Sequence, residues 1–587
     1  MNRLSKYILA LGTIALLNGC QKDLLDTLPY GSVGSESMWT NENLADQGVV
    51  GVYQTLRLGH VGLNRYAFDY AGSISMWRDQ GPLTAGNVTP SDGLFSDYWK
   101  QHYEGIHRAN DAIVNLAAKA PLTDQKRGRL IAEVKFLRAY FYFNLNSVFK
   151  GVPVYLEPVT VEQMNKGRET EQKVWEVIIN DLTDCINEPN LPGSYPKGNA
   201  NIGRATKAAA YALRGKAYLY MKQYALAEAD FKEVGKLGIA LYQGEYKMLF
   251  KEANEQQPEM IFSVQNLGLD GLGSELQLRL GSRVSFGSCW NSYFPHPDYV
   301  ESFENKDGSK FNWDDYLPGY STMTPAQRTV FFLRDGLTEA EKASFTTKGA
   351  DMSKYLDNGN EARIRAVYEN RDPRLMTTVI TPYSNYKGAV GTKEYTYTLR
   401  WPYRGYDEKE PFDIRTDANS KFYYLWRKWV AEGASETPNR SYCPTDMPLI
   451  RYADVLLMLA EAINEQGVRL EEAIEVVNQV RGRAGVVLLQ STNSSLPTYV
   501  KDQSDLRERI RNERRWELPL EGVNLFDEMR WGTWKSVKFY EGNGLKQIWG
   551  TLEYPYAWLG DYLYKWAIPR QEIEMNRNLQ QNPDWIN

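Results

Sequence analysis

Histidines are the first residues of this 587-residue chain to consider for acid–base or metal chemistry. The four that occur are His60, His102, His107 and His296. His102 and His107 are close enough in sequence to share a helix, but a spacing of five residues would point them about 140° away from each other. They are therefore not predicted to form a metal pair.

Carboxylates are more numerous, with 73 Asp and Glu residues. Asp307-Gly308 resembles part of a calcium loop, but Phe303 occupies the position of the first carboxylate ligand, so a turn is the better interpretation. A structural calcium held by scattered oxygens stays open as an alternative. A glycosidase needs only two carboxylates, so that activity is not excluded by spacing.

Motifs for phosphate binding, nucleophilic catalysis and zinc catalysis are absent. The chain contains no G-x-x-x-x-G-K-[ST], G-x-G-x-x-G, G-x-S-x-G or H-E-x-x-H sequence. No catalytic site of these classes and no cofactor are therefore predicted, and a family resemblance described below implies that the protein is not an enzyme.

Composition argues for a soluble globular protein with a binding surface. The net charge is -5, with 68 basic residues against 73 acidic ones, which disfavours nucleic acid as a partner. Tyr (39) outnumbers Phe (20), and there are 16 Trp. Tyr and Trp carry a polar group on an aromatic ring and so suit a partly wet binding surface.

The N-terminus resembles a bacterial lipoprotein signal. Arg3 and Lys6 precede an apolar run over residues 7–17 that is too short to span a bilayer. The following Leu17-Asn18-Gly19-Cys20 is similar to a lipobox. Residues 1–19 are therefore predicted to be a signal peptide, Cys20 a lipid anchor, and residues 20–55 a tether and entry segment.

Periodicity places the main helices. Apolar residues recur at helical spacing over residues 96–119, 123–149 and 204–238. The last segment and a second one over residues 452–483 partly match tetratricopeptide hairpins, which stack on their neighbours to form one core. Residues 241–448 instead carry clusters of Gly, Pro, Asn and Asp among aromatics. A mainly α fold with a loop-rich region of short strands is predicted.

Several stretches resemble the SusD/RagB family of surface lipoproteins. They are RYADVLLMLAEA at 451–462, NQVRGRAG at 478–485, ERRWEL at 513–518, FLRAYFYF at 136–143 and RDPR at 371–374. The resemblance covers nearly the whole mature chain. It implies a SusD-like fold, with an N-terminal helical half over 56–240, a ligand-binding region over 241–448 and a C-terminal helical half over 449–587.

The same resemblance implies a function and its partners. It implies that the protein binds an oligo- or polysaccharide and delivers it to a SusC-like TonB-dependent transporter in the outer membrane. The protein would be anchored to outer-membrane lipid through acylated Cys20 and would face the cell exterior. Peptide capture on the same scaffold is the alternative function, and surface glycosidase activity or a helical assembly scaffold are competing classes. The identity, linkage and length of the glycan stay open.

Ligand contacts are expected where exposed aromatic planes lie beside polar side chains, because sugars have apolar faces and hydroxyl edges. Four loops have this composition, and Trp77 and Trp290 are the preferred pair. The candidate residues are Trp77, Arg78, Asp79, Trp290, Asn291, Tyr293, Trp313, Tyr316, Tyr320 and Trp401.

Overall fold

The structure is a computed structural model that describes residues 35–405, 409–436 and 439–586. The predicted signal peptide and Cys20 lie outside the described residues. Among the helices in these ranges, none has the length and hydrophobicity needed to cross a membrane.

Long antiparallel helices build the N-terminal half. Polar N-caps start four of them, because a side-chain oxygen accepts a free backbone N–H of the first turn; the caps are Asp92, Thr123, Thr170 and Thr206. Consecutive long helices from α3 to α7 pack on one another. The helices are α1 (Ser35–Met38), α2 (Glu42–Tyr53), α3 (Gly93–Ala118), α4 (Asp124–Phe149), α5 (Glu171–Asn187), α6 (Lys207–Tyr220) and α7 (Tyr224–Val234).

The predicted hairpin over residues 204–238 is present as α6 and α7. A Cβ atom on Gly215 would lie 2.6 Å from the ring of Phe231, so only glycine allows the two helices to approach this closely. The hydrophobic core also contains Ala227 of the second helix. The small residues noted in the sequence therefore permit this packing.

The middle of the chain is made of short elements, as predicted. The described residues form five small sheets, which pair β1 with β3, β2 with β9, β4 with β8 and β10 with β11, and join β5, β6 and β7. β1 lies before the middle region and the β10–β11 pair after it. The strands are β1 (Ser75–Trp77), β2 (Met260–Val264), β3 (Tyr293–Pro295), β4 (Val379–Ile380), β5 (Asn385–Val390), β6 (Lys393–Thr398), β7 (Phe412–Asp413), β8 (Leu425–Trp426), β9 (Met447–Arg451), β10 (Gly544–Lys546) and β11 (Leu552–Pro555).

This region also contains helices that the sequence analysis did not predict. The longest two run for nine and ten residues, and the first of them starts with a capping box between Thr338 and Glu341. Their apolar faces are too short to produce a clear helical period. The helices are α8 (Leu276–Leu280), α9 (Pro297–Ser302), α10 (Pro325–Arg328), α11 (Glu339–Thr347), α12 (Asn360–Glu369) and α13 (Pro373–Thr378).

The C-terminal helices pack against the N-terminal ones. The predicted hairpin over residues 452–483 is present as α14 and α15, and α14 packs on both α7 and α16. One continuous hydrophobic cluster extends from Trp39 to Trp585, which confirms a mainly α scaffold with a shared core. The helices are α14 (Tyr452–Glu465), α15 (Leu470–Arg483), α16 (Gln503–Glu517), α17 (Asn524–Trp531), α18 (Trp534–Lys538) and α19 (Arg570–Met575).

A buried ion network joins distant parts of the chain. Arg451, at the end of β9, contacts Glu259 at 2.5 Å and both Glu517 and Glu521 at 2.8 Å. Arg483 contacts Glu517 at 2.5 Å. All five side chains are buried, so each charge depends on its partners for the solvation it has lost.

Candidate ligand-binding cleft

An aromatic cleft of about 510 Å³ lies where the N-terminal helices meet the loop-rich region. Its wall combines Tyr and Trp rings with amide, carboxylate and guanidinium groups. The residues that line it are Gly59, His60, Asn64, Tyr66, Ala67, Phe68, Tyr70, Trp77, Asp79, Pro82, Asp92, Leu94, Gln101, Glu275, Arg279 and Tyr293.

Strand pairing places two of the rings side by side. In the antiparallel β1–β3 pair, Trp77 lies opposite Tyr293 and Met76 lies opposite Phe294. Met76 and Phe294 are buried, while Trp77 and Tyr293 are half-buried, because alternate residues of a strand face opposite sides. The ring centroids of Trp77 and Tyr293 are 5.9 Å apart.

The 3₁₀ turn Arg65–Tyr70 adds three more rings to the wall, those of Tyr66, Phe68 and Tyr70. The Tyr66 ring meets Tyr293 edge-on with the centroids 6.1 Å apart, and the Tyr70 ring meets Trp77 with the centroids 5.2 Å apart. Tyr66 and Tyr70 are buried. Tyr66 and Tyr70 thus support the rings of Tyr293 and Trp77, which stay half-buried at the surface of the cleft.

Helix α8 and its N-cap contribute a pair of opposite charges. Arg279 donates to Glu275 Oε2 from Nε at 3.0 Å and from Nη2 at 2.7 Å. The same guanidinium lies 5.6 Å from the ring centroid of Trp290, so it links the cleft to a more exposed tryptophan at the rim.

Burial and the neighbouring charges determine the protonation states of Tyr293 and His60 in the cleft. Burial raises the pKa of Tyr293 to about 12, with Arg279 opposing the shift and Asp79 adding to it. Burial lowers the pKa of His60 below its usual range, against the attraction of Asp97. The phenol and the imidazole are therefore both uncharged at neutral pH.

C-terminal side chains hold the segment that connects Tyr70 to Trp77. Lys538 Nζ donates to the carbonyl oxygens of Tyr70 at 2.8 Å and Ser75 at 2.9 Å. Trp534 Nε1 donates to the carbonyl of Ala71 at 2.7 Å. Glu528 accepts hydrogen bonds from the backbone N–H and the hydroxyl of Ser73. The positions of the rings thus depend on α17 and α18.

The structure brings together part of the predicted site. Trp77, Asp79 and Tyr293 line the cleft. Trp290 lies at its rim, with 37% of its surface exposed, and its carbonyl accepts a hydrogen bond from Arg78. These residues stay the predicted ligand contacts.

Asn291 has a structural role between Trp290 and Tyr293. It is buried, its backbone has a positive φ of 37°, and its side-chain oxygen accepts a hydrogen bond from the backbone N–H of Asp417. This is a correction to its expected place among the ligand contacts, because the side chain is covered by protein.

The other predicted aromatic residues lie outside the cleft. Trp313 and Tyr320 are core rings, stacked with centroids 4.6 Å apart and 6% and 2% exposed. Tyr316 donates its hydroxyl to Asn305. Trp401 is half-buried and packs on two aromatic neighbours, Phe422 and Trp549. The expectation that Trp313 and Tyr320 contact a ligand is corrected, because both rings are buried in the core. Tyr316 and Trp401 are half-buried outside this cleft, and their role as ligand contacts stays a prediction.

Sequence reasoning missed Tyr66, Tyr70, Glu275 and Arg279. The stretch NRYAFDY at 64–70 has the same mixture of rings and polar groups as the loops that were chosen. Glu275 and Arg279 have the i, i+4 spacing of a helical ion pair. Neither signal indicated that these segments lie beside Trp77, because their proximity depends on the β1–β3 pairing.

Side chains that bind metal ions do not cluster in the described part of the chain. No group of three or more His, Cys, Asp or Glu side chains there could hold a metal ion. The acidic residues of the cleft are accompanied by Arg279, which is paired with Glu275.

Comparison with known families identifies the chain. A family model described as "SusD family" matches residues 258–585, more than half of the sequence. The chain belongs to the SusD family. A second model, described as "Starch-binding associating with outer membrane", matches residues 23–219 of this SusD family member. The resemblance noted in the sequence is confirmed.

Relatives of this SusD family member match it over most of their length. The SusD-like protein P25 of Formosa agariphila is 24% identical, covering 94% of each chain. The starch-binding protein SusD of Bacteroides thetaiotaomicron is 25% identical, covering 78% of this chain and 74% of that protein. The crystal structure of a SusD-like carbohydrate-binding protein from Bacteroides fragilis superposes with a TM-score of 0.69 at 25% identity, covering 92% of this chain and 100% of that one.

Proposed function

We propose that this protein captures a glycan at the cell surface without changing it chemically. The observation that carries the proposal is the cleft wall, in which Trp77 and Tyr293 present partly open rings beside Asp79, Glu275 and Arg279. Rings of this kind stack on the apolar faces of sugars, while the charged groups bond to hydroxyls. The carbohydrate-binding and starch-binding names of two relatives support the same ligand class.

Capture of this kind fits a wider role in uptake. Cys20 would hold the protein at the outer membrane through lipid, and a SusC-like TonB-dependent transporter would receive the glycan. Weak contacts at several sugar units would allow fast release, which suits transfer to a transporter. The family model described as associating with the outer membrane supports this localisation.

Binding of the lipid-free protein to purified polysaccharides tests the proposal. We expect one glycan to bind, and Trp77→Ala to weaken its affinity about fivefold or more, because aromatic stacking contributes about 1 kcal/mol or more per ring. Released reducing ends should stay at the level of a protein-free sample. Isothermal titration and a reducing-end assay in the same tubes measure both.

A matched control is Tyr224→Ala. Tyr224 is also half-exposed, but it lies at the start of α7 and does not line the cleft. Its replacement should leave affinity unchanged. Equal losses from both variants, or accumulation of reducing ends, would contradict capture at this cleft, and binding of peptides alone would change the ligand class.

A further inference from the structure

The charge of a glycan that could bind in the cleft depends on the charged side chains that line it. Four of the lining residues of the described cleft are Asp, Glu, Arg or Lys, namely Asp79, Asp92, Glu275 and Arg279. Three are acidic and one is basic. His60 also lines the cleft, and its burial favours the neutral imidazole.

Arg279 is the one guanidinium or ammonium group in this lining, and it is already engaged. Its Nε and Nη2 both donate to Glu275 Oε2, at 3.0 and 2.7 Å. A carboxylate or sulfate on a ligand would compete with Glu275 for the same donors. Bidentate binding of an anion at the Nε–Nη2 edge of a guanidinium requires those two N–H groups to be available, and Glu275 already neutralises the charge of Arg279.

The basic residues at the rim, Arg78 and Arg283, are also paired with carboxylates. Arg78 contacts Asp417 at 3.1 Å and Asp79 at 3.4 Å, and Arg283 also bonds to Asp417. The two cations are thus shared by two carboxylates. Asp92 has no ion-pair partner within the described residues, and its carboxylate caps α3 by accepting the N–H of Leu94 at 2.8 Å.

We propose that the cleft selects uncharged glycans and that Glu275 sets this selectivity by occupying Arg279. The inference rests on the proposed function, since it concerns the ligand of the same cleft. An acidic sugar would bring its charge near Asp79, Asp92 and Glu275 without a free cation to receive it. A neutral sugar needs only hydroxyl hydrogen bonds, which the carboxylates and the remaining guanidinium N–H groups can provide.

The test compares derivatives of one glycan on the wild-type protein and on Glu275→Gln. The probes are a neutral polysaccharide that binds, starting with starch and laminarin, its carboxymethyl derivative and, as a control for size, its uncharged hydroxyethyl derivative. Glu275 is half-buried at the surface, so the glutamine variant should fold. The charged derivative should bind the wild type about tenfold more weakly than the hydroxyethyl derivative, a difference expected for like charges within one cleft.

Glu275→Gln should reduce that difference at least about threefold, because it removes one negative charge and frees Arg279. The matched control is Glu369→Gln, which breaks an exposed i, i+4 pair with Arg365 away from the cleft lining and should leave the difference unchanged. Added salt should also reduce the wild-type difference, since screening weakens interactions between exposed charges.

The results separate this inference from the proposed function. Equal or tighter binding of the charged derivative by the wild type, or no effect of Glu275→Gln on the difference, would overturn the selectivity while leaving glycan capture intact. An acidic polysaccharide as the sole ligand in a broad panel would do the same. Failure to bind every glycan would overturn the proposed function, and the inference with it.

Discussion

At the scale of single residues, the main feature of the cleft is a pair of half-buried aromatic rings. Trp77 and Tyr293 are paired across two strands, and each has one supporting tyrosine behind it. The Tyr293 hydroxyl is kept protonated by burial, which raises its pKa to about 12. The phenol of Tyr293 is therefore uncharged over the whole physiological pH range.

This leads to a prediction for Tyr293. Tyr293→Phe should keep glycan affinity within about threefold of wild type, while Tyr293→Ala should lower it about fivefold or more, since a stacked ring contributes about 1 kcal/mol. Wild-type affinity should stay constant from pH 7 to about pH 10, because the phenol does not ionise in that window. Titration calorimetry of the three proteins checks both points, and a large loss in Tyr293→Phe would assign the main contact to the hydroxyl.

At the scale of elements, the cleft depends on α17 and α18, although these helices contribute no lining residue. Lys538 donates to the carbonyls that precede and follow the turn between Tyr70 and β1. Burial lowers the pKa of Lys538 to about 7, with nearby Glu528 favouring the charged form. Both the ammonium and the neutral amine retain enough N–H groups to make the two bonds.

Replacing this lysine should affect stability and binding together. Lys538→Met leaves two buried carbonyl groups without their donor, so we expect a loss of about 2–4 kcal/mol in the free energy of unfolding. Glycan affinity at temperatures well below unfolding should fall as well, because the Trp77 segment loses its support. Urea denaturation and calorimetry measure the two effects.

The control for this variant is Lys421→Met. Lys421 is 41% exposed and pairs with Glu553 at 2.5 Å, so its loss should cost less than about 1 kcal/mol. If Lys538→Met lowered stability but left affinity unchanged, α18 would support the fold without positioning the cleft.

At the scale of the whole molecule, buried charges connect the loop-rich region to the C-terminal helices. Glu517 contacts Arg451 at 2.8 Å, Arg483 at 2.5 Å and Arg374 at 3.4 Å. Burial alone would raise the pKa of Glu517, but these three arginines lower it to about 2. Its native pKa therefore lies below the unfolded value of about 4.5.

The lowered pKa of Glu517 determines how the stability of the protein changes with pH. A carboxylate with a lowered native pKa stabilises the fold above its unfolded pKa, and this contribution is lost as the pH falls through about 4.5 towards 2. Glu517→Gln should destabilise the protein at pH 7 by about 3–5 kcal/mol, because it leaves buried arginines without a partner. The variant should also lose less of its remaining stability than wild type between pH 5 and about pH 3.

Urea midpoints measured across that pH range check this prediction. Glu574→Gln is the control, since Glu574 forms an exposed pair with Arg570 and should change neither stability nor its pH dependence measurably. Parallel acid profiles for wild type and Glu517→Gln would contradict a charged Glu517 in the native state.

The sequence by itself determined the helical scaffold and the family. Helical periodicity located α3, α4, α6, α7, α14 and α15, because an amphipathic face repeats within one continuous segment. Short elements such as α11 and α12 escaped prediction, since nine or ten residues give too few turns for a clear period. Local motifs were sufficient for the family because they too are contiguous.

Only the tertiary structure decided which aromatic residues share a cleft. Trp77 and Tyr293 were chosen from loop composition, as were Trp313 and Tyr320, yet the first pair meets across β1 and β3 while the second stacks in the core. Tyr66 and Arg279 reach the same wall from segments more than 200 residues apart in sequence. The residue type determines the chemical properties of a ring, but strand register and burial determine whether that ring can contact a ligand.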